Sequence, residues 1–344
     1  MKGEPTVILA EGFSSDTHYG KTMRGVLRYR PDDVCAILDS EAAGEEVDGV
    51  PVVAGVAAAL ELGARVALVG VATQGGRFPP SWQAILRDCI AAGISIENGL
   101  HVFLADDPEL VALAREAGVE LRDLRRPPDG LDCTTGENLR VPAHRVLTVG
   151  SDCAIGKMTV ALELDREARA RGLASEFVPT GQTGIAIAGW GISVDAVVAD
   201  FIAGAAEQLV IEGARRGGEL LLVEGQGSLS HPAYSGVTLG LFHGSAPQTL
   251  ILCHRAGETE IDGFPGHPLL SLAALVALHE KIALPACPTK VVAIALNTAT
   301  LDDESAAAAV AAAEAETGLP AADPVRHGAA KLLDAVLERG ASLG

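Results

Sequence analysis

The chain has 344 residues, 48% of them hydrophobic but only 3% aromatic, with 39 glycines and a formal net charge of −19. That length allows two domains, each with a core built from Ala, Val, Leu and Ile. The acidic balance argues against nucleic acid or an anionic membrane as a partner, since both demand cationic surface.

A small anionic substrate remains open, because it senses only local charge. No apolar run approaches the roughly 18 residues of a membrane span. Met1-Lys2-Gly3-Glu4-Pro5 leads straight into a strand pattern rather than a signal peptide, so a cytoplasmic protein is expected. Cys35, Cys89, Cys133, Cys153, Cys253 and Cys287 lie far apart with no CxxC or Cys/His metal spacing. They read as reduced thiols, and no metal site is assigned.

The first part of the chain alternates between the two periodicities. Thr6–Ala10 reads as a strand, Lys21–Tyr29 as a helix and Val34–Leu38 as a strand. Val56–Leu62 then reads as a helix, Arg65–Val71 as a strand and Pro80–Ala92 as a helix. Ile94–Asn98 and Val119–Asp123 are further strands, with Pro108–Ala117 a helix between them. Such alternation predicts a parallel sheet with helices on both faces. The polar, proline-bearing stretch 125–142 breaks the pattern and reads as a linker, giving domains over 1–142 and 143–344.

The second part has strands at Arg145–Val149, Ala174–Val178, Glu219–Val223, Thr249–Cys253 and Lys290–Leu296. Its helices are Lys157–Arg171, Ala196–Arg216, Leu269–Lys281 and Glu304–Glu316. The predicted class is therefore α/β with two domains, the second carrying a phosphate loop.

That loop is the strongest local signal. Val146 to Thr159, VLTVGSDCAIGKMT, is an apolar strand, a small-residue loop and a helix start with Lys157. In such a turn, backbone N–H groups and the helix N-terminus converge on an anion. Gly150, Ser151, Asp152, Cys153, Ala154, Ile155, Gly156, Lys157, Met158 and Thr159 are the candidate cofactor-binding residues.

Either Ser151 stands where the first glycine of a Walker A loop is expected, or Gly150 serves with one extra loop residue. Met158 occupies the position that normally offers a hydroxyl to Mg²⁺. Thr159 is no simple substitute, because one helical step turns the side chain by about 100°.

Open parallel sheets bind ligands at the carboxyl ends of their strands. Four more segments reach that edge. Thr180-Gly181-Gln182-Thr183 is a glycine- and hydroxyl-rich loop offering Gln182 and Thr183 to a substrate. Asp195 and Asp200 flank an apolar turn, where Asp195 could cap a helix and Asp200 could serve as general base or metal ligand.

Glu224 ends the apolar run Leu220–Val223, as a Walker B acid does, and could hold Mg²⁺ or accept a proton. In the loop beyond it, His231 is a candidate acid or base, and Gln226 and Tyr234 are candidate substrate contacts. Asn297, at the end of a late strand, suits the edge of a nucleobase.

In the first domain, Glu11 to Phe13 and Val71 to Arg77 end strands, and Arg77 could hold a carboxylate. Gly20-Lys21-Thr22 lacks a small-residue loop before it and is not read as a nucleotide site.

The loop GSDCAIGKM and the acid of VEGQG resemble dethiobiotin synthetase and related amidoligases. The chain as a whole resembles more specifically the D-glutamate N-acetyltransferase family, through AEGFSSDTHYGKTMRGVLRY, VGSDCAIGKMT, PTGQTGIAIAGWG, VDAVVADFIAGAAE, VEGQGSLSHPAYSGVTLGLFHGS and LNTATL. The resemblance implies a Rossmann-like domain followed by a P-loop domain. It also implies acetyl transfer from acetyl-CoA to the amine of D-glutamate or a related D-amino acid, in D-amino-acid catabolism, with an epimerase typically next.

Loss of the Mg²⁺-binding hydroxyl fits a CoA diphosphate held by amides and Lys157, with the need for Mg²⁺ left open. Glu224, Asp200 or His231 would take the ammonium proton, and Gly225 and Gly227 would offer N–H groups to the oxyanion. Two other readings stand beside this one. They are an ATP- and Mg²⁺-dependent ligase or kinase, and a nucleotide-sensing regulatory protein. A homo-oligomer is expected on general grounds.

Overall fold

The structure is a computed structural model that describes residues 1–16, 19–73, 76–79 and 81–342. Thr17, His18, Gln74, Gly75, Pro80, Leu343 and Gly344 lie outside the described residues. The chain forms two compact units. One comprises residues 1–126 and 182–193, the other residues 127–181 and 194–344. The stretch 127–142, expected as linker, thus groups with the second unit, and 182–193 groups with the first.

In the first unit the elements are β1 (Thr6–Leu9), α1 (Lys21–Tyr29), β2 (Val34–Leu38), β3 (Glu46–Val47), β4 (Val50–Val53), α2 (Val56–Glu61) and β5 (Val66–Val69). They are followed by α3 (Trp82–Ala91), β6 (Ser95–Asn98), α4 (Pro108–Ala117) and β7 (Leu121–Asp123). The sheet order is β3-β4-β2-β1-β5-β6-β7. All pairs are parallel except β3 with β4.

With β3 set aside, the order runs third, second, first, fourth, fifth, sixth, the doubly wound order of Rossmann folds. Every residue of β1 and β5 is buried, as both-face coverage requires. Val7, Leu9, Ala67 and Val69 pack with Trp82, Leu86 and Ile90 of α3 in one core cluster.

The β3–β4 hairpin was not read from the sequence, although Asp48-Gly49 takes positive φ at both residues (51° and 80°), the geometry of a tight hairpin turn. The turn after β1 is closed by the chain itself. The Asp39 carboxylate accepts from Gly12 N and Ser14 N, each at 3.0 Å. Burial favours its neutral form, but hydrogen bonds from Ser14, Gly12 and Glu41 outweigh this and hold it below the ordinary carboxylate range. Those amides would face a dinucleotide pyrophosphate in a Rossmann cofactor site; here they face Asp39.

The second unit contains β8 (His144–Gly150), α5 (Lys157–Ala170) and β9 (Ser175–Val178). After α6 (Gln182–Ala188), which belongs to the first unit, come α7 (Ile202–Arg215), β10 (Leu220–Val223), α8 (Ser235–Ser245), β11 (Thr249–Arg255), α9 (Leu272–Lys281) and β12 (Lys290–Asn297). The chain ends with α10 (Asp303–Thr317), β13 (Ala321–Ala322), α11 (Pro324–His327) and α12 (Ala330–Ala341). Six parallel strands run β13-β12-β11-β8-β10-β9. The phosphate-loop strand β8 is therefore central, with β10 on one side and β11 on the other.

Several elements depart from the sequence reading. α6 forms where a loop was expected; its buried small residues Gly184 and Ala186 allow close packing on α1. α7 begins at Ile202 rather than Ala196, so Asp195 caps no long helix and lies in a short turn over Val194–Ala196. α8 and α12 were not anticipated, although α12 buries Leu332, Leu333 and Val336 in the core beneath β8 and α5.

Residues 127–142 are fixed by Glu207 of α7, whose carboxylate accepts from Thr135 N (2.6 Å) and Asn138 N (3.2 Å). No described helix is long and apolar enough to cross a membrane.

His144 at the start of β8 shares a 2.7 Å hydrogen bond with Thr249 Oγ1. Burial, then Arg145 and Arg339, push its pKa from 6.5 to about 4. The unfolded chain then binds the extra proton between those values, so stability falls as pH drops from about 6.5 towards about 4 and the loss levels off below. Thermal melts of the wild type and His144→Gln between pH 7 and 4 should show a shallower acid limb in the variant. Parallel limbs would mean that His144 does not carry the effect.

Candidate functional site

The loop after β8 owes its shape to two residues with positive φ, Ala154 at 53° and Gly156 at 113°. The second is the N-cap of α5 and provides no side-chain cap. No N-cap side chain occupies the first-turn N–H groups of α5, the groups that an anion meets at a helix start.

Lys157 is 6% exposed, and its Nζ donates to Asp152 O at 2.7 Å. Burial pulls its pKa below the ordinary lysine value, while Cys253, Cys153, Asp152 and Glu224 pull it back up. Met158 and Thr159 follow in the first turn. Thr159 faces a cavity of about 380 Å³, lined also by Ile155, Gly156, Asn297, Asp323 and Arg326. Asn297 reaches the loop directly, donating from Nδ2 to Ile155 O at 3.3 Å.

β10 delivers its acid beside this loop. Glu224 is 4% exposed and accepts at Oε2 from Thr180 N (2.9 Å) and Gly181 N (3.1 Å). Burial, with a smaller contribution from Asp195, pushes its pKa to about 7, despite the opposing hydrogen bonds from Thr180, Gly181 and Gln226. A carboxyl poised near neutrality suits proton transfer.

Gln226 donates from Nε2 to Thr180 Oγ1 at 3.1 Å. Gly225 is required where it stands, since a Cβ there would lie 1.6 Å from Thr148 O. Its N–H is spent on Thr148 Oγ1 at 2.9 Å. It is therefore unavailable to an oxyanion, which corrects the expectation for Gly225.

His231 is 4% exposed, with its ring stacked on Tyr234 (4.7 Å) and edge-on to Phe264 (5.1 Å). Its Nδ1 accepts from Ala233 N at 3.1 Å. In the neutral ring this bond leaves the proton on Nε2.

Asp200 is exposed in a short turn, and the acid that influences Glu224 is Asp195. Ser151 shares a hydrogen bond with His254 Nδ1 at 2.9 Å, and its carbonyl accepts from Ser228 Oγ and Ser230 Oγ.

The other substrate candidates belong to the first unit. Gln182 Oε1 accepts from Arg125 Nη1 at 2.8 Å, Thr183 Oγ1 pairs with Thr22 Oγ1 at 2.9 Å, and Arg77 is exposed. Sequence reasoning passed over the segment after β11 altogether. Arg255, the last residue of β11, donates from Nη2 to Ala154 O at 2.6 Å, and beyond it Asp262 N donates to Asp152 Oδ2 at 2.7 Å. The segment is thereby tied to the loop. Its only cue was the cluster of turn residues from Gly257 to Gly266.

Fold and site define a two-unit α/β protein whose second unit is a P-loop domain. The chain belongs to the DUF1611 family. A P-loop domain of unknown function matches residues 132–333, and its Rossmann-like N-terminal companion matches 39–127.

The chain is 38% identical over 338 residues to a D-glutamate N-acetyltransferase of Tritonibacter scottomollicae, covering 97% of this chain and 98% of that one. A protein of the same name from a Pseudoalteromonas species is 36% identical over 271 residues, covering 78% and 80%. Among solved structures, a DUF1611 family protein from Anabaena variabilis is similar, with 43% identity and a TM-score of 0.90 over 98% of this chain and 100% of that one.

Lys157 is buried against a main-chain carbonyl with no carboxylate oxygen in hydrogen-bond contact among the described residues. Replacing it removes an unfavourable burial as well as an anion ligand. Lys157→Met should keep or raise Tm while weakening pyrophosphate binding by calorimetry at least about tenfold, a loss of roughly 1.4 kcal/mol. A lower Tm with unchanged binding would contradict this role.

Proposed function

We propose that the protein transfers an acetyl group from acetyl-CoA to the amino group of D-glutamate or a closely related D-amino acid. The observation that carries the reading is the pairing, in one site, of a phosphate cradle lacking the Mg²⁺-binding hydroxyl with a buried carboxyl near neutrality. The names of two relatives matched over most of their length supply the substrate and the acyl group.

In this reading the CoA diphosphate lies on the first-turn amides of α5, with Lys157 as its cation. No phosphoryl group reacts, so a Ser or Thr at position 158 is not needed. The cavity of about 380 Å³ beside Asn297 borders the same loop at Ile155 and Gly156.

The amine arrives as an ammonium and must lose a proton before it attacks the thioester carbon. Glu224 in its carboxylate form takes that proton. The amine nitrogen then bonds to the acetyl carbon, the carbon–sulfur bond breaks, the nitrogen passes its surplus proton through solvent to the departing CoA thiolate, and Glu224 returns its own proton to solvent. The Gly227 N–H, which has no protein partner among the described residues, is the remaining glycine donor for the oxyanion.

Because Glu224 acts as carboxylate, kcat/KM should rise with pH through a limb near pH 7. Glu224→Gln should lower turnover about 100-fold or more and abolish that limb. Its affinity for acetyl-CoA should stay within about twofold, a shift of roughly 0.4 kcal/mol. CoA thiol release followed in steady state across pH 5.5–9 checks this. A variant with wild-type turnover and an unchanged limb would remove Glu224 from the chemistry.

A further inference from the structure

Asp152, Cys153 and His231 each bring one ligand atom, a carboxylate oxygen, a thiol sulfur and a ring nitrogen, into a group within 4.8 Å of one another. We propose that these three side chains form a binding site for one divalent cation of the zinc class, at the mouth of the phosphate loop.

The donor set selects the ion. A thiolate and an imidazole with a single carboxylate suit zinc or cobalt(II), whereas Mg²⁺ and Ca²⁺ prefer all-oxygen shells. Three protein ligands would leave one tetrahedral position to water or to an anionic oxygen, as in zinc sites that stay open.

The ligands are held in advance of any ion. Asp152 is fully buried and accepts from Cys153 N (2.6 Å) at one oxygen and from Asp262 N (2.7 Å) at the other. Each oxygen keeps a second lone pair for a metal. The His231 ring is fixed between Tyr234 and Phe264. Cys153 is half-buried, which leaves it open to an incoming ion.

Binding exchanges one hydrogen bond for a metal bond. If Nδ1 coordinates, it gives up the lone pair that accepts from Ala233. If Nε2 coordinates, the ring proton moves to Nδ1, which can then no longer accept. In either mode the Ala233 amide is released. Cys153 binds as thiolate, so its proton goes to solvent.

The site escapes any sequence pattern because its ligands sit on two loops, after β8 and after β10, which only the sheet order brings together. The proposal does not depend on the acetyltransferase reading.

The test is a cobalt(II) titration of the full chain after treatment with a chelator and dialysis. The expected result is one equivalent bound, an intense near-ultraviolet thiolate-to-cobalt band, and loss of that band on adding Zn²⁺. Cys153→Ser should abolish the band while keeping the wild-type Tm. His231→Gln should weaken binding about tenfold or more.

Absence of the band at saturating cobalt, or its survival in Cys153→Ser, would overturn the proposal. If Cys153→Ser melts early, the His231→Gln affinity decides, and an affinity equal to wild type would overturn it.

Discussion

A lysine buried against a main-chain carbonyl is the constraint on which the second unit turns. Lys157 at the head of α5 gives up most of its hydration for one hydrogen bond to Asp152 O, an arrangement that is costly until an anion arrives. Much of the surrounding structure keeps the loop in the shape that makes this possible. Gly156 supplies the left-handed turn before the helix, the Ser151 carbonyl is held by two serines from beyond β10, and Arg255 and Asp262 tie the loop from the β11 side. An anion at the helix start would supply what the fold withholds.

The same central position of β8 explains the acid. Glu224 ends the neighbouring strand, so the loop after β10 runs alongside the phosphate loop. The contact is close enough that only glycine fits at 225 against the Thr148 carbonyl. The Glu224 carboxyl bridges to the amides of Thr180 and Gly181 after β9, stitching the ends of two adjacent strands. A structural brace and a group poised near neutrality are here one residue, because burial within the brace is what raises its pKa.

Much of the fold was legible in the sequence because parallel strands buried on both faces read as continuous apolar runs. Lys21–Tyr29, Val34–Leu38 and Pro108–Ala117 coincide with their elements residue for residue. The failures have physical causes. α6 is a helix rich in glycine and alanine whose packing on α1 overrides its loop-like composition. The start of α7 was placed six residues early because Asp195 resembles a cap while sitting in a separate turn.

In the site, the phosphate loop and Glu224 were visible as local motifs. The influence of Asp195 on Glu224, the hydrogen bond from Ala233 to His231 and the clamp from Arg255 and Asp262 were not. These are contacts between segments far apart in sequence, and no spacing encodes them.

The central claim is that the phosphate loop serves a cofactor whose phosphates do not react. One reaction mixture tests it most directly, containing the protein, acetyl-CoA, D-glutamate, ATP and Mg²⁺, with free CoA thiol and inorganic phosphate followed together. The account predicts thiol release that requires D-glutamate and proceeds at the same rate when ATP and Mg²⁺ are omitted, with no phosphate formed. Phosphate release that depends on the amino acid, without thiol release, would contradict it and identify a nucleotide-cleaving site instead.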